Sequence, residues 1–502
     1  MRNIEPVNRT LFISDNLPVL RRLPDACIDL IATDPPFNAK RVFNAPLGSK
    51  AARQRFDDRW RWDEVTDEWN HVIAAQNPAV KEVIEAAALI EGGRVDPHTL
   101  DISTGLVKNS MAAFLCWMAP RLIEMRRVLK PTGSIYLHCD DAADSYLRLL
   151  MDAIFGRKQF RNAIIWQRMP GRTAGKQFGR VHDSILFYVN GSAYTWNQEF
   201  APHDPEYVKR AYRNKDQIGR WQSDQLTASD RSDGESGIPW RGIDPGKVGN
   251  HWRTPTQGGM NDFIRKHNLI PDWPDAYPSV HDRLDALDAA GLIHWPRIGK
   301  GMPRLKRYLA STKGTAICDI FTDIPFLTAA SKEKTGWRTQ KPLTLYRRII
   351  KASSNEDDLI LDPFCGCATT CIAAEQLNRQ WIGIDIDPVA EKITRSRLVN
   401  EAVGWHGTVD VRPRPTVSAS DKGALRRVLW DHQGHCCANP YCRTEVKQAN
   451  LHLDHRIPKV RGGSDDFDNM LGLCPACNAS KGKRAWNAFL DGERAKQPHP
   501  LT

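Results

Sequence analysis

No apolar run in this 502-residue chain approaches the roughly 18 residues that a bilayer-spanning helix needs, which argues against a membrane span. The N-terminus, MRNIEPVNRT, lacks the apolar core of a signal peptide, so a cytoplasmic location is expected by default. Acidic residues are in deficit. The 59 Asp and Glu stand against 70 Lys and Arg, leaving a net charge of +11 and a pI near 9.1. That balance suits a polyanionic partner, although many soluble basic proteins bind none. Cysteine is sparse except in one place: of 12, Cys436, Cys437, Cys442, Cys474 and Cys477 crowd into a single C-terminal segment. In a reducing compartment such clustering points to zinc rather than disulfides. The length allows about two to four domains with a large core.

Residues 359–388, LILDPFCGCATTCIAAEQLNRQWIGIDIDP, read as a strand, a tight turn, a helix and a second strand. Leu359 to Leu361 is short and apolar, as a buried strand should be. Asp362-Pro363 ends it, and Gly366 permits a close turn. Thr369 to Leu377 can form a helix whose free N–H groups face the loop. Trp381 to Ile386 makes the second strand, with Asp385 and Asp387 at its end. A carboxylate there, roughly 20 residues after a glycine turn, suits a ribose diol in a Rossmann-like sheet. The plainer alternative is a βαβ turn with no ligand.

Earlier in the chain, Thr10 to Ser14 is a strand candidate, and Asp15 or Asn16 caps a helix through Leu23. Ile28 to Ala32 is a buried strand that runs straight into Thr33-Asp34-Pro35-Pro36-Phe37-Asn38. Two prolines past a strand end lock the backbone and remove its donors, leaving their carbonyls as rigid acceptors. Asp34 adds another acceptor and Phe37 a flat apolar face. Together they suit a planar base with an amino group: the amine donates to Asp34 and the Pro35 carbonyl, and the ring stacks on Phe37. A bare D-P-P string is also a common turn after a strand.

The two stretches together resemble the motifs of S-adenosylmethionine-dependent DNA amino-methyltransferases. DPFCGCATT is similar to their DPF-x-G-S-G-T-T loop, with Cys367 in place of Ser and Ala368 in place of the second Gly. An alanine there costs little unless the position needs positive φ. Asp34-Pro35-Pro36-Phe37 resembles the catalytic DPPY/F motif of the adenine-acting members, and Asp34 tilts the substrate toward adenine rather than cytosine. Thr339-Gln340-Lys341-Pro342 resembles the family's T-Q-K-P cofactor element, and SIYLHCDD followed by FRNAIIWQR continues the likeness. The motif order matches the circularly permuted beta group, over about residues 10 to 405. This resemblance implies catalysis by Asp34, Pro35, Pro36 and Phe37. It implies that Thr339, Lys341, Pro342, Asp362, Pro363, Phe364, Gly366, Thr369 and Asp385 hold S-adenosyl-L-methionine. Asp385 would take the ribose and Asp362 the methionine amino group. His138, Asp140 and Asp141 either line the pocket or cap the next helix.

Residues 39 to 112 are polar and helical by pattern, with Trp60, Trp62 and Trp69 clustered. They read as an insertion packing over DNA, or as a surface excursion with tryptophan anchors. From about 165 to 310 regularity is lost, and Arg, Lys, Gly, Pro and Trp interleave. Such composition suits phosphate contact plus stacking, the place of the family's target-recognition region. An irregular domain with a tryptophan core is equally consistent.

Residues 411–421, VRPRPTVSASD, have no apolar period and read as a linker. A second module follows at 422–492, with a tail at 493–502. Cys437 and Cys442 form a C-x4-C pair, Cys474 and Cys477 a C-x2-C pair, and four thiolates at these spacings can close a tetrahedral zinc site. Cys436 could substitute for Cys437. Between the pairs, Leu451 to Pro458 is a strand pattern ending in Asp-His-x-x-Pro, followed by a turn at Gly462-Gly463. This module resembles the HNH nuclease family. The resemblance implies His455 as general base, Asp454 and Asn478 as magnesium ligands, and Asn469 as the residue orienting the His455 loop. Asn478 stands where the family name expects a third His, and its amide oxygen suits magnesium.

The expected fold is thus α/β: a Rossmann-like methyltransferase at 1–410 with a mixed, mostly parallel sheet and an inserted recognition region, plus a small zinc-stapled ββα domain. The expected activity is restriction-modification on double-stranded DNA. The alternative is a solitary methyltransferase whose C-terminal module grips DNA without cutting. A homodimer and an additional restriction subunit are compatible with either, and the sequence shows neither.

Overall fold

The structure, a computed structural model, describes residues 4–494 apart from 47–48, 53, 63–64, 66–68, 74–75, 93–99, 102–105, 108, 172, 231–232, 297–300, 329, 403–404, 406, 414–422, 424, 427–428, 431–432, 434–435, 440, 443 and 463–468. The chain divides into two compact units, one made of residues 1–197 and 318–502, the other of residues 198–317.

The first unit is built on nine strands. The nine strands and the helices between them that frame the site are, in chain order, β1 (Thr10–Ile13), α1 (Asn16–Arg22), β2 (Ile28–Thr33), α2 (Ser110–Val128), β3 (Leu129–Cys139), α3 (Asp144–Phe155), β4 (Phe160–Gln167), β5 (His182–Val189), β6 (Ile320–Phe321), α4 (Leu343–Ser353), β7 (Leu359–Asp362), α5 (Thr369–Gln376), β8 (Gln380–Asp385), α6 (Val389–Glu401) and β9 (Asp410–Pro413). The sheet order is β6-β4-β5-β3-β2-β7-β8-β1-β9. Only β5 runs against the rest, pairing antiparallel with β3 and β4. The apolar runs without alternation, such as LILD and QWIGID, are buried because helices cover a parallel sheet on both faces.

The junction that matters lies between β2 and β7. They pair in parallel, with Leu30 opposite Ile360 and Ile31 opposite Leu361, although more than three hundred residues of chain separate them. Their carboxyl ends therefore share one edge of the sheet. Strand order reverses here, and in open α/β sheets the crevice for ligands opens at such a point.

Several expectations shift. Trp69 is buried and Trp60 and Trp62 pack on the main core, so these rings are anchors of the first unit. The irregular unit begins at Gln198 rather than near 165, because β4 and β5 complete the main sheet. Within it, Trp221, Trp240, Trp252 and Trp273 form its own core beside a four-stranded antiparallel sheet. Val411 to Pro413 lie at the sheet edge, with Leu11 opposite Val411 and Ile13 opposite Pro413, so the expected linker does not start before 414. Residues 414–421, Gly463 and the tail from 495 lie outside the described residues.

The C-terminal module has a hairpin of β10 (His452–His455) and β11 (Met470–Leu473), then α7 (Pro475–Lys481) and α8 (Trp486–Arg494). Leu425, Leu451, Leu471, Leu473, Trp486 and Phe489 make its small core.

The Ala368 position does need a left-handed backbone: φ is +60° and ψ is 34° at the start of α5. An L-residue there costs roughly 1 kcal/mol relative to glycine. Ala368→Gly is therefore expected to raise unfolding stability by up to about 1 kcal/mol, less a small loss from the more flexible unfolded chain. A urea midpoint that falls instead would show that the buried methyl matters more than the strain.

Candidate functional site

Thr33 ends β2 and Asp362 ends β7, and the Thr33 hydroxyl donates to Asp362 Oδ1 at 2.7 Å. The Thr370 hydroxyl, from the first turn of α5, donates to the Ala32 carbonyl at 3.1 Å. These bonds lock the two loops together. Beyond them opens a cavity of about 200 Å³, lined from the first loop by Asp34 to Phe37 and from the second by Asp362 to Cys367. Thr339, Lys341 and Asp385 line it too.

The first loop is held from three sides. Lys341 Nζ donates to Asp34 Oδ2 at 2.5 Å, with both side chains about nine-tenths buried. Asp34 Oδ1 is buried and takes no hydrogen bond among the described residues. Lys341 thus meets the carboxylate of the first loop, where the resemblance implied a place at the cofactor. Its ammonium also lies 5.5 Å from the centre of the Phe37 ring. Past Phe37, the N–H groups of Asn38 and Ala39 donate to the two oxygens of Asp58 at 3.0 and 2.7 Å, and Trp60 Nε1 adds a bond at 2.8 Å. Burial pushes the Asp58 carboxyl up even so. Asn38 takes φ of +62°, so this clamp holds a turn that asparagine tolerates better than most residues.

The Phe37 ring stacks on His138 at 5.9 Å between centroids and 23° between planes. His138 Nε2 meets Asp183 Oδ2 at 3.0 Å, and Arg168 Nε lies 2.8 Å from Asp183 Oδ1. Burial lowers the His138 pKa, which favours the neutral ring. His138 is therefore the floor under Phe37. Asp140 behaves differently and accepts the Ala142 and Ala143 N–H groups at 3.1 and 3.2 Å ahead of α3.

The second loop is folded tightly around Gly366, at φ of +52°, where a Cβ would sit 2.9 Å from Trp337 Nε1. The Gly366 N–H donates to Asp385 Oδ2 and the Asp387 N–H to Asp385 Oδ1, both at 2.8 Å. Burial pushes Asp385 up to about 7 and Asp362 up to about 6. The Pro363 carbonyl accepts from Asn16 at 2.7 Å, and Phe364 leans on Trp117 at 5.7 Å. Arg397, buried in α6, donates to the Cys367 carbonyl at 2.8 Å and to Thr369 Oγ1 at 3.0 Å. Thr339 is exposed at the cavity rim and Pro342 is buried as the N-cap of α4. Gln340 turns inward and accepts from Thr335.

The sequence reading missed Asp58, Asp183, Arg397 and Trp337. Each acts through a contact distant in sequence, and none sits in a motif that would mark it.

In the C-terminal module the sulfurs of Cys437, Cys442, Cys474 and Cys477 all lie within 4.8 Å of one another, and Cys442 Sγ is 3.8 Å from Cys474 Sγ. A zinc–sulfur bond of about 2.3 Å in a tetrahedron requires edges of about 3.8 Å, so the set fits zinc. Cys436 stands outside this group. The Cys474 N–H points at Cys437 Sγ, the Cys477 N–H at Cys474 Sγ, and Asn439 Nδ2 at Cys477 Sγ, at 3.3, 3.4 and 3.2 Å.

On the hairpin, Asp454 Oδ1 accepts the His455 N–H at 2.7 Å, and Asp454 Oδ2 lies 3.0 Å from the ammonium of the fully buried Lys481. Asn478, one turn before Lys481 in α7, contacts His452 Nδ1 at 3.2 Å. Asn469 grips Ile457, accepting its N–H at 2.8 Å and donating to its carbonyl at 3.0 Å, two residues past His455. A carboxylate and an amide oxygen are the donors a hard cation takes, though Lys481 already gives Asp454 a positive partner.

A family model described as DNA methylase matches residues 28–396, and one described as HNH endonuclease matches residues 437–484. Among curated proteins, the Type II methyltransferase M.EcaI of Enterobacter cloacae is 34% identical over 289 residues, covering 57% of this chain and 58% of that protein. The Type III restriction-modification enzyme StyLTI Mod subunit of Salmonella typhimurium is 24% identical over 387 residues, covering 74% and 51%. This chain spans about half the length of these relatives. A solved Thermus thermophilus protein, described as a putative DNA modification methylase and complexed with S-adenosyl-L-methionine, covers 81% of this chain and 99% of its own at 15% identity and a TM-score of 0.36.

Metal analysis of the purified chain is expected to find one zinc per molecule. Cys474→Ser should release it and melt the C-terminal module in a separate, lower transition, because so small a core holds little stability of its own. Full zinc retention by that variant would count against a four-thiolate site.

Proposed function

Because the chain belongs to the DNA methylase family and carries an HNH endonuclease module, we propose that it methylates the exocyclic amino group of adenine in double-stranded DNA, using S-adenosyl-L-methionine, and cuts DNA that lacks the mark. The observation that supports the first activity most directly is the cavity shared by the Asp34–Phe37 loop and the Asp362–Cys367 loop.

The residues present fit the cofactor. Asp385 would take the ribose diol through lone pairs left over from its two backbone bonds, and Asp362 would face the methionine end. Thr339, Pro363, Phe364, Gly366 and Thr369 would shape the rest. When bound, the cofactor supplies a methyl group activated by a sulfonium. The protein's part is to present the nucleophile. A base turned out of the duplex would stack on Phe37, which His138 supports from beneath. Its amine would donate one hydrogen to Asp34 Oδ1 and the other to the Pro35 carbonyl, with Pro36 fixing the loop. That leaves the nitrogen lone pair directed at the methyl. Lys341 occupies Asp34 Oδ2, so a substrate group that meets Oδ1 would be a donor: an amino base and not a keto base. Asp34 is also the group placed to receive the proton the amine loses after transfer. Adenine is favoured over cytosine by Asp34 itself, on the family resemblance.

In the C-terminal module His455 would activate water. Asp454 and Asn478 would hold magnesium, which supplies charge stabilisation at the phosphate, and Asn469 would keep the His455 loop in place. One observation favours a second reading: the buried Lys481 ammonium already neutralises Asp454, as it would in a module that grips DNA and no longer cuts.

Plasmid lacking methylation, incubated with magnesium and labelled cofactor, separates these readings. The wild type is expected to label the DNA, and Asp34→Asn to lose at least about a hundredfold in rate. His455→Ala should abolish cleavage and leave methyl transfer untouched. If wild type methylates and never cuts, the gripping reading stands; if it labels no DNA, the methyltransferase reading is wrong.

Asp385 gives a pH test. With its pKa at about 7, it is mostly protonated below that pH and ionised above it. Ribose hydroxyls donate best to the ionised form, so cofactor affinity measured by calorimetry is expected to fall as pH drops from about 8 to about 6. Asp385→Asn should bind more weakly and with no slope over that range. A wild-type affinity that rises on acidification would contradict the assignment.

A further inference from the structure

Between β4 and β5 the chain runs through RMPGRTAGKQFGRV, residues 168–181, with four basic residues and no acidic one. Thr173–Ala174 and Gln177–Phe178 pair antiparallel, closing a hairpin over Gly175 and Lys176, with Gly175 at φ of +62°. On the returning strand, opposite Thr173, Phe178 is 99% exposed, more than any other large apolar side chain among the described residues. Lys176 and Gln177 are exposed as well.

The position of this hairpin follows from strand direction. β3 runs parallel to β2, so its carboxyl end lies at the same sheet edge as Asp34. β5 pairs antiparallel with β3, Ser184 opposite Cys139, so β5 begins at that edge, and the end of β4 meets it with Gln167 opposite His182. The hairpin therefore rises from the edge that carries the catalytic loop. Its roots are fastened there. The Arg168 and Met169 N–H groups both donate to the Val181 carbonyl, at 2.9 and 3.2 Å. Arg180 pairs with Asp141 at 2.9 Å, and Arg168 with Asp183, the residue that holds His138 under Phe37. The base is tied to the pocket, while the returning strand turns an aromatic ring to solvent, opposite Thr173 and two residues past the Lys176 turn.

A bare ring in water is uncompensated apolar surface, and here it stands two residues from the exposed ammonium of Lys176. A ligand that satisfies both has a polyanionic exterior and a stacked apolar interior, which is the description of duplex DNA. We propose that Phe178 is a wedge that enters the base stack as the target base leaves it, with Lys176 on an adjacent phosphate. The inference rests on the DNA methyltransferase reading and adds to it the side chain that holds the opened duplex.

The test uses a duplex oligonucleotide bearing the site that wild type methylates on plasmid, made in two forms. In one the target base is paired; in the other an abasic position faces it, so no pair need be broken. Phe178→Ala is expected to slow transfer to the paired duplex by at least about tenfold and Phe178→Trp to restore most of it. On the abasic-opposed duplex the alanine variant should stay within about threefold of wild type, because the base is already free to leave. Unchanged transfer by Phe178→Ala on the paired duplex would overturn the wedge, leaving Phe178 as a contact for some other partner. Equal slowing on both duplexes would overturn it too, in favour of a general loss of grip. A wild type that labels no DNA would overturn the wedge together with the reading beneath it. The melting temperature should not move in any of these variants, since the ring is almost wholly in solvent.

Discussion

Two parallel strands lying side by side hold this site together. β2 and β7 are far apart in sequence, yet their pairing puts both of their carboxyl ends on one edge of the sheet. The buried bond from Thr33 to Asp362 then couples the loops directly. A buried hydroxyl and carboxyl are each costly without a partner, so the pairing register and the bond enforce one another. Slip the register by one residue and Thr33 would point to the opposite face, leaving Asp362 stranded. The cavity, the Asp34 loop and the Asp385 loop all depend on that register.

Around it the protein arranges charge by burial and by paired support. The carboxyls of Asp362 and Asp385 are pushed up because they sit at the floor of the crevice, and backbone N–H groups hold the second of them in place. Asp34 is handled differently, by the ammonium of Lys341, which leaves its other, buried oxygen without a hydrogen-bond donor among the described residues. The aromatic side of the pocket has its own line of supports: Phe37 on His138, His138 on Asp183, Asp183 on Arg168. Each of these side chains is held by the next. A reacting group held in this manner loses little orientation freedom at the moment it acts.

The C-terminal module solves a different problem. It has few residues with which to build a core, and four clustered sulfurs would, with a metal bound, do the work that apolar area does in the larger unit. Backbone and amide donors aimed at those sulfurs favour the thiolate state that a metal needs. The hairpin presents Asp454 and His455, and α7 brings Asn478 to His452 and Lys481 to Asp454.

Much of this was legible in the chain itself. The apolar run before Asp34, the LILD and QWIGID strands, the Gly366 turn and the Cys pairs are local patterns, set by strand burial, glycine conformation and ligand spacing within a few residues. Motif order, set beside the resembled family, also suggested the permuted beta group. What stayed hidden was whatever depends on distance across the fold. Lys341 reads as part of a cofactor element, and only the packing of its loop against the β2 edge turns its ammonium to Asp34. His138 reads as well as a cap as it does a pocket residue, until β5 brings Asp183 to its far side. Asp58 and Arg397 carry no motif, yet they clamp the two loops. Val411 to Pro413 look like linker because prolines and arginines have no strand pattern, and they join the sheet only because β1 offers an open edge. Local sequence determined which segments form strands, turns and thiolate pairs, since those follow from short-range sterics and burial. Tertiary structure decided which charge meets which, because an ion pair or a stacked ring needs two surfaces brought within a few ångströms, and that is settled by strand order and register rather than by neighbours along the chain.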